Sequence, residues 1–309
     1  MSKSGGATVP AVAIVGATAS GKSDLAMALA RRIPHVEIVA VDAMQVYRSM
    51  DIGTAKPTVA ERAEVRHHGI DLVTPSEPFT VADFQQMANE ALGTISSRGG
   101  MPVLVAGTGL YLSALVNHLE LPGSWPEVRI RLEHEALGDL DAMFRRLVTV
   151  DPVAASKMEP TNARRIVRAL EVCEGSGRTF SSFGPGLETY PQSEITQIGL
   201  RWTRERLAVR IEGRVHRMME QGLFGEVERL AASGEFSRTA RQALGYKELL
   251  DVMDGLYSLD EAVETIIVRT RQFAVRQDRW FRRDPRIRWI DIEMDSLEAL
   301  PVLAVAVMA

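Results

Sequence analysis

Gly16-Ala17-Thr18-Ala19-Ser20-Gly21-Lys22-Ser23 follows an apolar run, Ala11 to Val15, and opens a stretch of helical periodicity from Ser23 to Ile33. The eight residues fit G-x-x-x-x-G-K-S/T, the P-loop pattern, and strand, loop and helix fall in the order that this pattern needs. Its glycines let the backbone wrap around phosphate oxygens, while exposed N–H groups and the helix dipole favour an anion. Lys22 supplies a positive charge to a pyrophosphate, and the Ser23 hydroxyl is the expected ligand of Mg2+. Gly16, Thr18, Ala19, Ser20, Gly21, Lys22 and Ser23 are therefore the predicted diphosphate-binding residues of the loop. Read in isolation, the loop suggests ATP or another nucleotide.

Outward from the loop, short β-branched runs alternate with amphipathic helical stretches, the pattern of βα units on a parallel sheet. Val36 to Val41 is a second strand. Thr80 and Asp83 stand at capping-box spacing before Val81, Phe84, Met87, Ala88, Ala91 and Ile95, which recur at helical spacing. Pro102 to Ala106 reads as another buried strand, followed by Gly107-Thr108-Gly109 and a helix from Leu110. The Pro/Gly-rich stretch Leu121 to Pro126 marks a boundary, beyond which Glu127 to about Gly177 carries no strand run. Ile195 to Trp202 returns to strand character, long helices occupy Arg204 to Ser233 and Leu259 to Arg283, and Ile287 to Ile292 is a last strand. The predicted fold is α/β, a P-loop NTPase-like parallel sheet core flanked by helices. Residues 1–122 and 180–309 form that core, and 123–179 a helical insertion domain.

The bulk composition narrows the function classes. Of 309 residues, 46% are hydrophobic and 25% charged, which is ordinary for a folded globular chain. Cys173 is the sole cysteine, which excludes an intrachain disulfide and zinc sites built on several thiolates. Met1 to Pro10 lacks the charged and apolar regions of a secretory signal. Met101 to Leu115 and Pro301 to Ala309 are apolar but too short to span a bilayer core of about 30 Å. A cytoplasmic protein with neither a membrane nor an obligate protein partner is expected.

The net charge of −4 argues against a polyanion partner, but the charge is unevenly spread. From Arg269 to Arg288, eight arginines stand against two aspartates, and from Arg201 to Arg217 six arginines stand against two glutamates. Each stretch is either a solvated helix face or part of a groove for nucleic acid.

Asp42 closes the second strand, at the edge where open α/β sheets bind ligands and where the P-loop also lies. Its carboxylate is suited to supporting a metal, capping the next turn or serving as general base. A nucleotide hydrolase would place a metal-binding aspartate after the strand Pro102 to Ala106, and this chain has Gly107-Thr108-Gly109 instead. Thr108 can reach a phosphate oxygen or cap the following helix. The segment Met50 to Pro57 has no evident core role, as is common for loops that contact substrate. His67 and His68 alternate faces of a strand, which favours packing over a metal site.

Taken together, GATASGKS (16–23), VDAMQVYRSMDIGTAKP (41–57), His67-His68 before Ile70-Asp71, and AGTGLY (106–111) resemble the tRNA dimethylallyltransferase family. So do PEVR (126–129), RRIVRALEV (164–172), ALGYKE (243–248) and TRQFAVRQDRWFRR (270–283), so the resemblance covers nearly the whole chain. It implies transfer of a dimethylallyl group from dimethylallyl diphosphate to N6 of the adenosine 3′ of the anticodon, position 37, in tRNAs reading codons that begin with U. It also implies Mg2+ as cofactor and the tRNA anticodon stem-loop as partner.

The same resemblance makes Asp42 the general base and Thr108 a contact to the diphosphate. Along the tRNA it places Asp42, Ala43, Met44, Gln45, Thr108, Arg129, Arg164, Arg165, Arg168, Arg241, Gly245, Tyr246 and Lys247, with the insertion gripping the stem-loop. Arg210 and Arg214, four apart on one helical face, are candidates for reaching the diphosphate, the alternative being salt bridges to Glu212 or Glu226. The chain departs from the family pattern at Ala17 (usually proline), Ala43 (usually serine) and Ala106 (usually glycine). A nucleotide kinase, an adenylate isopentenyltransferase and a non-enzymatic RNA-binding protein are the competing readings. The helical insertion and basic stretches favour tRNA over a free nucleotide.

Overall fold

A computed structural model of the chain describes residues 11–184, 186–234 and 236–292; the stretches 1–10 and 301–309 considered above lie outside the described residues. Strand β1 (Val12–Gly16) is buried along its whole length. It turns through the phosphate loop into α1 (Lys22–Arg32), whose N-cap is Gly21 at φ +92°. No side chain caps α1, so the loop itself faces the first N–H groups of the helix. Strand β2 (Val36–Val41) leads to α2 (Val59–Glu64), started by a Thr58–Glu61 capping box, and to the two-residue β3 (His67–His68). Helix α3 (Val81–Ser97) begins at the Thr80–Asp83 capping box and buries Phe84, Ala88, Ala91 and Ile95. Strand β4 (Met101–Ala106) and α4 (Gly109–Val116) follow.

The chain then builds a separate compact unit, Asn117–Pro191. It contains α5 (Pro126–Gly138), α6 (Leu140–Val150), α7 (Pro152–Ala155), α8 (Ala163–Ser176) and a 3-10 turn, Phe180–Ser182, with no strand among its described residues. Leu132, Leu147, Ile166 and Leu170 fill its core. Buried Asp151 caps α7 through Ala154 N–H and also accepts from Ser181 N–H and Oγ, which fixes the 3-10 turn. The unit is wider at both ends than residues 123–179, and Phe180, just past the expected end, packs on its core.

On return to the first unit come β5 (Thr196–Arg201), α9 (Arg204–Glu220), α10 (Leu223–Ser233), α11 (Arg238–Arg241), α12 (Tyr246–Met253), α13 (Leu259–Phe281) and β6 (Arg288–Asp291). The helical stretch read over Arg204 to Ser233 is divided at Gly222, whose φ of +94° is left-handed. The sheet order is β3-β2-β4-β1-β5-β6 and every pairing is parallel. Parallel neighbours need crossovers, which place helices over both faces. One face packs Leu25, Met27 and Leu29 of α1 against β1, β2 and β5; the other packs Phe84 and Ile95 of α3, Leu112 and Leu115 of α4 and Phe281 of α13. No helix among the described residues is long and apolar enough to cross a membrane.

The register sets the site. Val15 and Val41 both stand beside Ala106, so Gly16, Asp42 and Gly107 leave the sheet at the same level. Three loops distant in sequence therefore meet at the carboxyl edge of the three central strands, where a parallel α/β sheet leaves room for a ligand.

Candidate active site

The phosphate loop is formed from strained and close-packed positions. Ala19 is left-handed at φ +62°, and a Cβ on Gly16 would lie 2.9 Å from Ser20 Oγ and 3.0 Å from the Leu200 carbonyl. Ala17, the position usually occupied by proline, is buried against Ile211 of α9 and Ala274 of α13. Lys22 donates from Nζ to the Ala17 carbonyl at 2.7 Å, folded back across its own loop. Loss of solvent, then the positive charge of Arg214, pulls the Lys22 ammonium down to about 7, with Asp42 opposing. Ser23 is exposed in the first turn of α1.

Helix α9 closes one side of the loop. Arg210 donates from Nε to the Ala19 carbonyl at 2.8 Å, and its guanidinium lies 4.5 Å from the ring centroid of Trp202. The Trp202 indole donates to the Ser20 carbonyl at 2.9 Å. Arg214, one turn on, is lowered by burial and held up chiefly by Asp42 and then Asp24. The alternative partners considered for this pair are engaged elsewhere. Glu212 pairs with Arg271 at 2.7 Å, and Glu226 is buried against the 51–53 backbone. Thr18 has a different backbone role from its neighbours, since its N–H donates to Gln277 Oε1 at 2.8 Å.

Asp42 has one of its three expected uses on display, the closing of the next turn. Its Oδ1 accepts from Met44 N–H at 2.7 Å and Gln45 N–H at 3.3 Å, which closes the turn after β2. Its Oδ2 lies 3.6 Å from where a Cβ on Gly107 would stand, so that glycine leaves space before the carboxylate. Thr108 is at the N-terminus of α4, but its hydroxyl accepts from Ala43 N–H at 3.3 Å instead of capping the helix. The hydroxyl keeps its own proton to donate. Gln45 is held from its side chain, Nε2 donating to the Thr54 and Ala55 carbonyls.

The segment 50–57 turns out to be a structural loop. Buried Glu226 accepts the N–H groups of Asp51, Ile52 and Gly53 and the Tyr246 hydroxyl. A Cβ on Gly53 would lie 2.4 Å from the Tyr246 ring. The Lys56 ammonium is buried and donates to the Tyr47 carbonyl, Asp51 and Asp71, each at 2.7 Å. Two buried charges, Glu226 and Lys56, thus anchor the loop in a way that hydrophobic periodicity does not register.

The residues expected along RNA divide by their present partners. Arg164 and Arg165 are exposed on α8. Arg168 instead pairs with buried Glu171 at 2.9 Å and donates to the Pro122 and Gly123 carbonyls, while Arg129 pairs with Glu133 at 3.1 Å. Arg241 faces Asp254 at 3.4 Å and Lys247 pairs with Asp251 at 2.5 Å. Gly245 N–H donates to Glu248. Tyr246 is fully buried, so its side chain has a packing role. In the run 269–288, Arg269, Arg271, Arg282 and Arg286 each pair with a carboxylate, which makes much of that stretch a neutralised helix face. The two histidines bond locally, His67 to the Val65 carbonyl and His68 to Glu37. No group of three His, Cys, Asp or Glu suited to a metal occurs among the described residues.

Trp202 and Gln277 belong to the site and were not singled out in the sequence. Trp202 sits just past the carboxyl end of β5, a position that could have flagged it. Gln277, neutral and inside a long helix, fell within the quoted motif 270–283 but had no chemical signal of its own.

The sequence pattern of the family described as IPP transferase matches residues 45–284, and that described as isopentenyl transferase matches 9–71. A tRNA dimethylallyltransferase of Kineococcus radiotolerans is 47% identical, over 96% of this chain and 98% of its own length. One of Streptomyces coelicolor is 44% identical, over 96% and 95%. The crystal structure of the full-length tRNA isopentenylpyrophosphate transferase from Bacillus halodurans has a TM-score of 0.69 at 38% identity, with 96% of each chain covered. A eukaryotic dimethylallyltransferase acting on tRNA has a TM-score of 0.79 at 27% identity, covering 96% of this chain and 78% of its own.

Proposed function

Since this chain belongs to the IPP transferase family, we propose that it transfers a dimethylallyl group from dimethylallyl diphosphate to N6 of the adenosine 3′ of the anticodon, in tRNAs reading codons that begin with U. The observation that carries this reading is the shared level of Gly16, Asp42 and Gly107 at the sheet edge. With the strand order β2-β4-β1, it sets a cationic phosphate loop on one side and a threonine hydroxyl and a carboxylate on the other. The diphosphate takes the loop, with Lys22, Arg210 and Arg214 as its cations. The acceptor base, flipped out of the anticodon loop, reaches Asp42 and Thr108.

In the reaction the N6 nitrogen bonds to the allylic carbon, the carbon–oxygen bond to diphosphate breaks, and the N6 proton passes to Asp42 Oδ2. Thr108 donates a hydrogen bond from its hydroxyl, keeping its proton, to the leaving diphosphate. The cations lower the energy of the charge that gathers on it. Mg2+ fits this donor set, since it takes few protein ligands and keeps water and phosphate oxygens. Exposed Ser23 would hold it, and when bound it would add to the neutralisation of the diphosphate. Arg164 and Arg165 on α8 are exposed cations of the helical unit, available to RNA phosphates, on which the anticodon stem-loop would rest.

The reading is tested by supplying labelled dimethylallyl diphosphate and Mg2+ with unmodified tRNA, with AMP, or with ATP and candidate acceptors. Label is expected on tRNA alone. Label on AMP and none on tRNA would assign the chain to free nucleotides instead.

Lys22 gives a second test. With its ammonium down at about 7, Lys22 of the free protein is largely neutral at about pH 8. An anion favours the charged form, so donor binding takes up a proton and weakens as pH rises above 7. Calorimetry at about pH 8 in buffers of different ionisation enthalpy is expected to show that uptake in the wild type and its loss in Lys22→Met. Equal proton uptake by the two proteins would remove Lys22 from the binding step.

A further inference from the structure

Beyond the Val15–Ala106 pair the β1–β4 ladder ends, and the phosphate loop and the Thr108 loop diverge from the sheet separately. One side chain reconnects them. Gln277 of α13, only 7% exposed, accepts Thr18 N–H at Oε1 (2.8 Å) and donates from Nε2 to the Gly107 carbonyl (2.7 Å). A single orientation of the amide meets both partners, because one is a donor and the other an acceptor. Nε2 also lies 3.4 Å from where a Cβ on Gly107 would be, on the same glycine that Asp42 Oδ2 approaches.

Gln277 is the middle of a stripe along α13. Three residues earlier Ala274 packs with Ala17 beneath the phosphate loop. Three residues later Trp280 lies against the Thr108 loop so closely that a Cβ on Gly109 would be 2.1 Å from its ring. Residues three apart on a helix share a face, so one helix touches the donor loop, the bridge and the acceptor loop in turn.

We propose that Gln277 is a positioning residue that holds the phosphate loop in register with the Thr108–Asp42 side of the site, an inference that rests on the transfer reaction assigned above. The donor is held chiefly by the cations Lys22, Arg210 and Arg214 on one side of the bridge and the acceptor near Asp42 on the other, with Thr108 meeting the diphosphate as it leaves. What the bridge sets is the distance between the allylic carbon, held through its diphosphate, and the N6 nitrogen, held near Asp42. Displacing reacting groups by about 1 Å costs on the order of 100-fold in rate, whereas binding of either partner alone does not depend on that distance.

The test uses the full chain with Gln277→Leu, which removes both bonds, and Gln277→Glu, which keeps the acceptor for Thr18 but sets a carboxylate against the Gly107 carbonyl. At saturating donor and tRNA, kcat per active site is expected to fall about 100-fold in the leucine variant and at least about tenfold in the glutamate variant. Dissociation constants for dimethylallyl diphosphate alone and for tRNA alone should stay within about threefold of wild type, since neither depends on the lost distance. A merely structural role would lower the melting temperature and leave kcat per folded molecule unchanged, which overturns the proposal. So would a loss carried entirely by one dissociation constant. If the leucine variant does not fold, the glutamate variant decides by the same two readouts. Wild-type protein that transfers nothing to tRNA would count against the assigned reaction and not against the bridge.

Discussion

Asp42→Asn lowers the single-turnover rate of prenyl transfer by about 10²- to 10⁴-fold, the range contributed by a positioned general base, and leaves tRNA affinity close to wild type. Asparagine is the informative replacement because Asp42, the proposed base, also holds a turn. Its Oδ1 closes the turn by accepting from Met44 and Gln45. An asparagine oxygen keeps that acceptor in place while the nitrogen replaces Oδ2, which removes the base and little else. Asp42→Ala removes both, so any further loss in alanine measures the turn, including the Ala43 N–H that meets Thr108 Oγ1. Activity of the asparagine variant within about tenfold of wild type would mean that the N6 proton leaves by another route. Weakened tRNA binding with an unchanged rate at saturation would make Asp42 a binding group.

This separation of tasks also shows what the sequence could and could not disclose. Strand ends in a parallel sheet are read from local apolar runs, and Gly16, Asp42 and Thr108 all stand one or two residues past such runs. Their convergence followed from the fold class alone. The arginine stretches were legible as charge and illegible as pairing, because Glu212 lies 59 residues from Arg271 and Glu248 lies 21 from Arg269. Local balance cannot report a partner at that distance. Tyr246 sat in a stretch similar to residues that line RNA, yet its ring fills the space left by Gly53. Gln277 lay within the motif 270–283 but nothing singled it out there, since a buried amide matters through two backbone atoms that belong to other loops. The single left-handed break at Gly222 was a glycine in a helical run, which lowers confidence in continuity but does not locate a turn.

Glu226→Ala should lower the unfolding free energy by about 3–5 kcal/mol, close to the largest effect expected of a single residue. The carboxylate is buried and accepts from Asp51 N–H at 3.0 Å, Ile52 N–H at 2.9 Å, Gly53 N–H at 3.3 Å and Tyr246 Oη at 2.5 Å. Bonds to a charged acceptor contribute about 1.5–3 kcal/mol each, and a buried donor left unpaired costs about 1–3 kcal/mol. The four do not add, because the loop can shift to recover water for part of its backbone. Tyr246→Phe removes one bond and leaves the three backbone donors satisfied, so it should cost about 1–2 kcal/mol, and the ordering of the two variants is as diagnostic as their size. Denaturant titration measures both, and a loss below about 1 kcal/mol for Glu226→Ala would show that the 51–53 backbone is held by other contacts. The same substitution should reach the site, because the Thr54 and Ala55 carbonyls that follow the clamp receive the Gln45 side chain, three residues from Asp42. Transfer by the folded fraction of Glu226→Ala is therefore expected to fall as well, while Tyr246→Phe, with the loop still clamped by its backbone, should keep most of it.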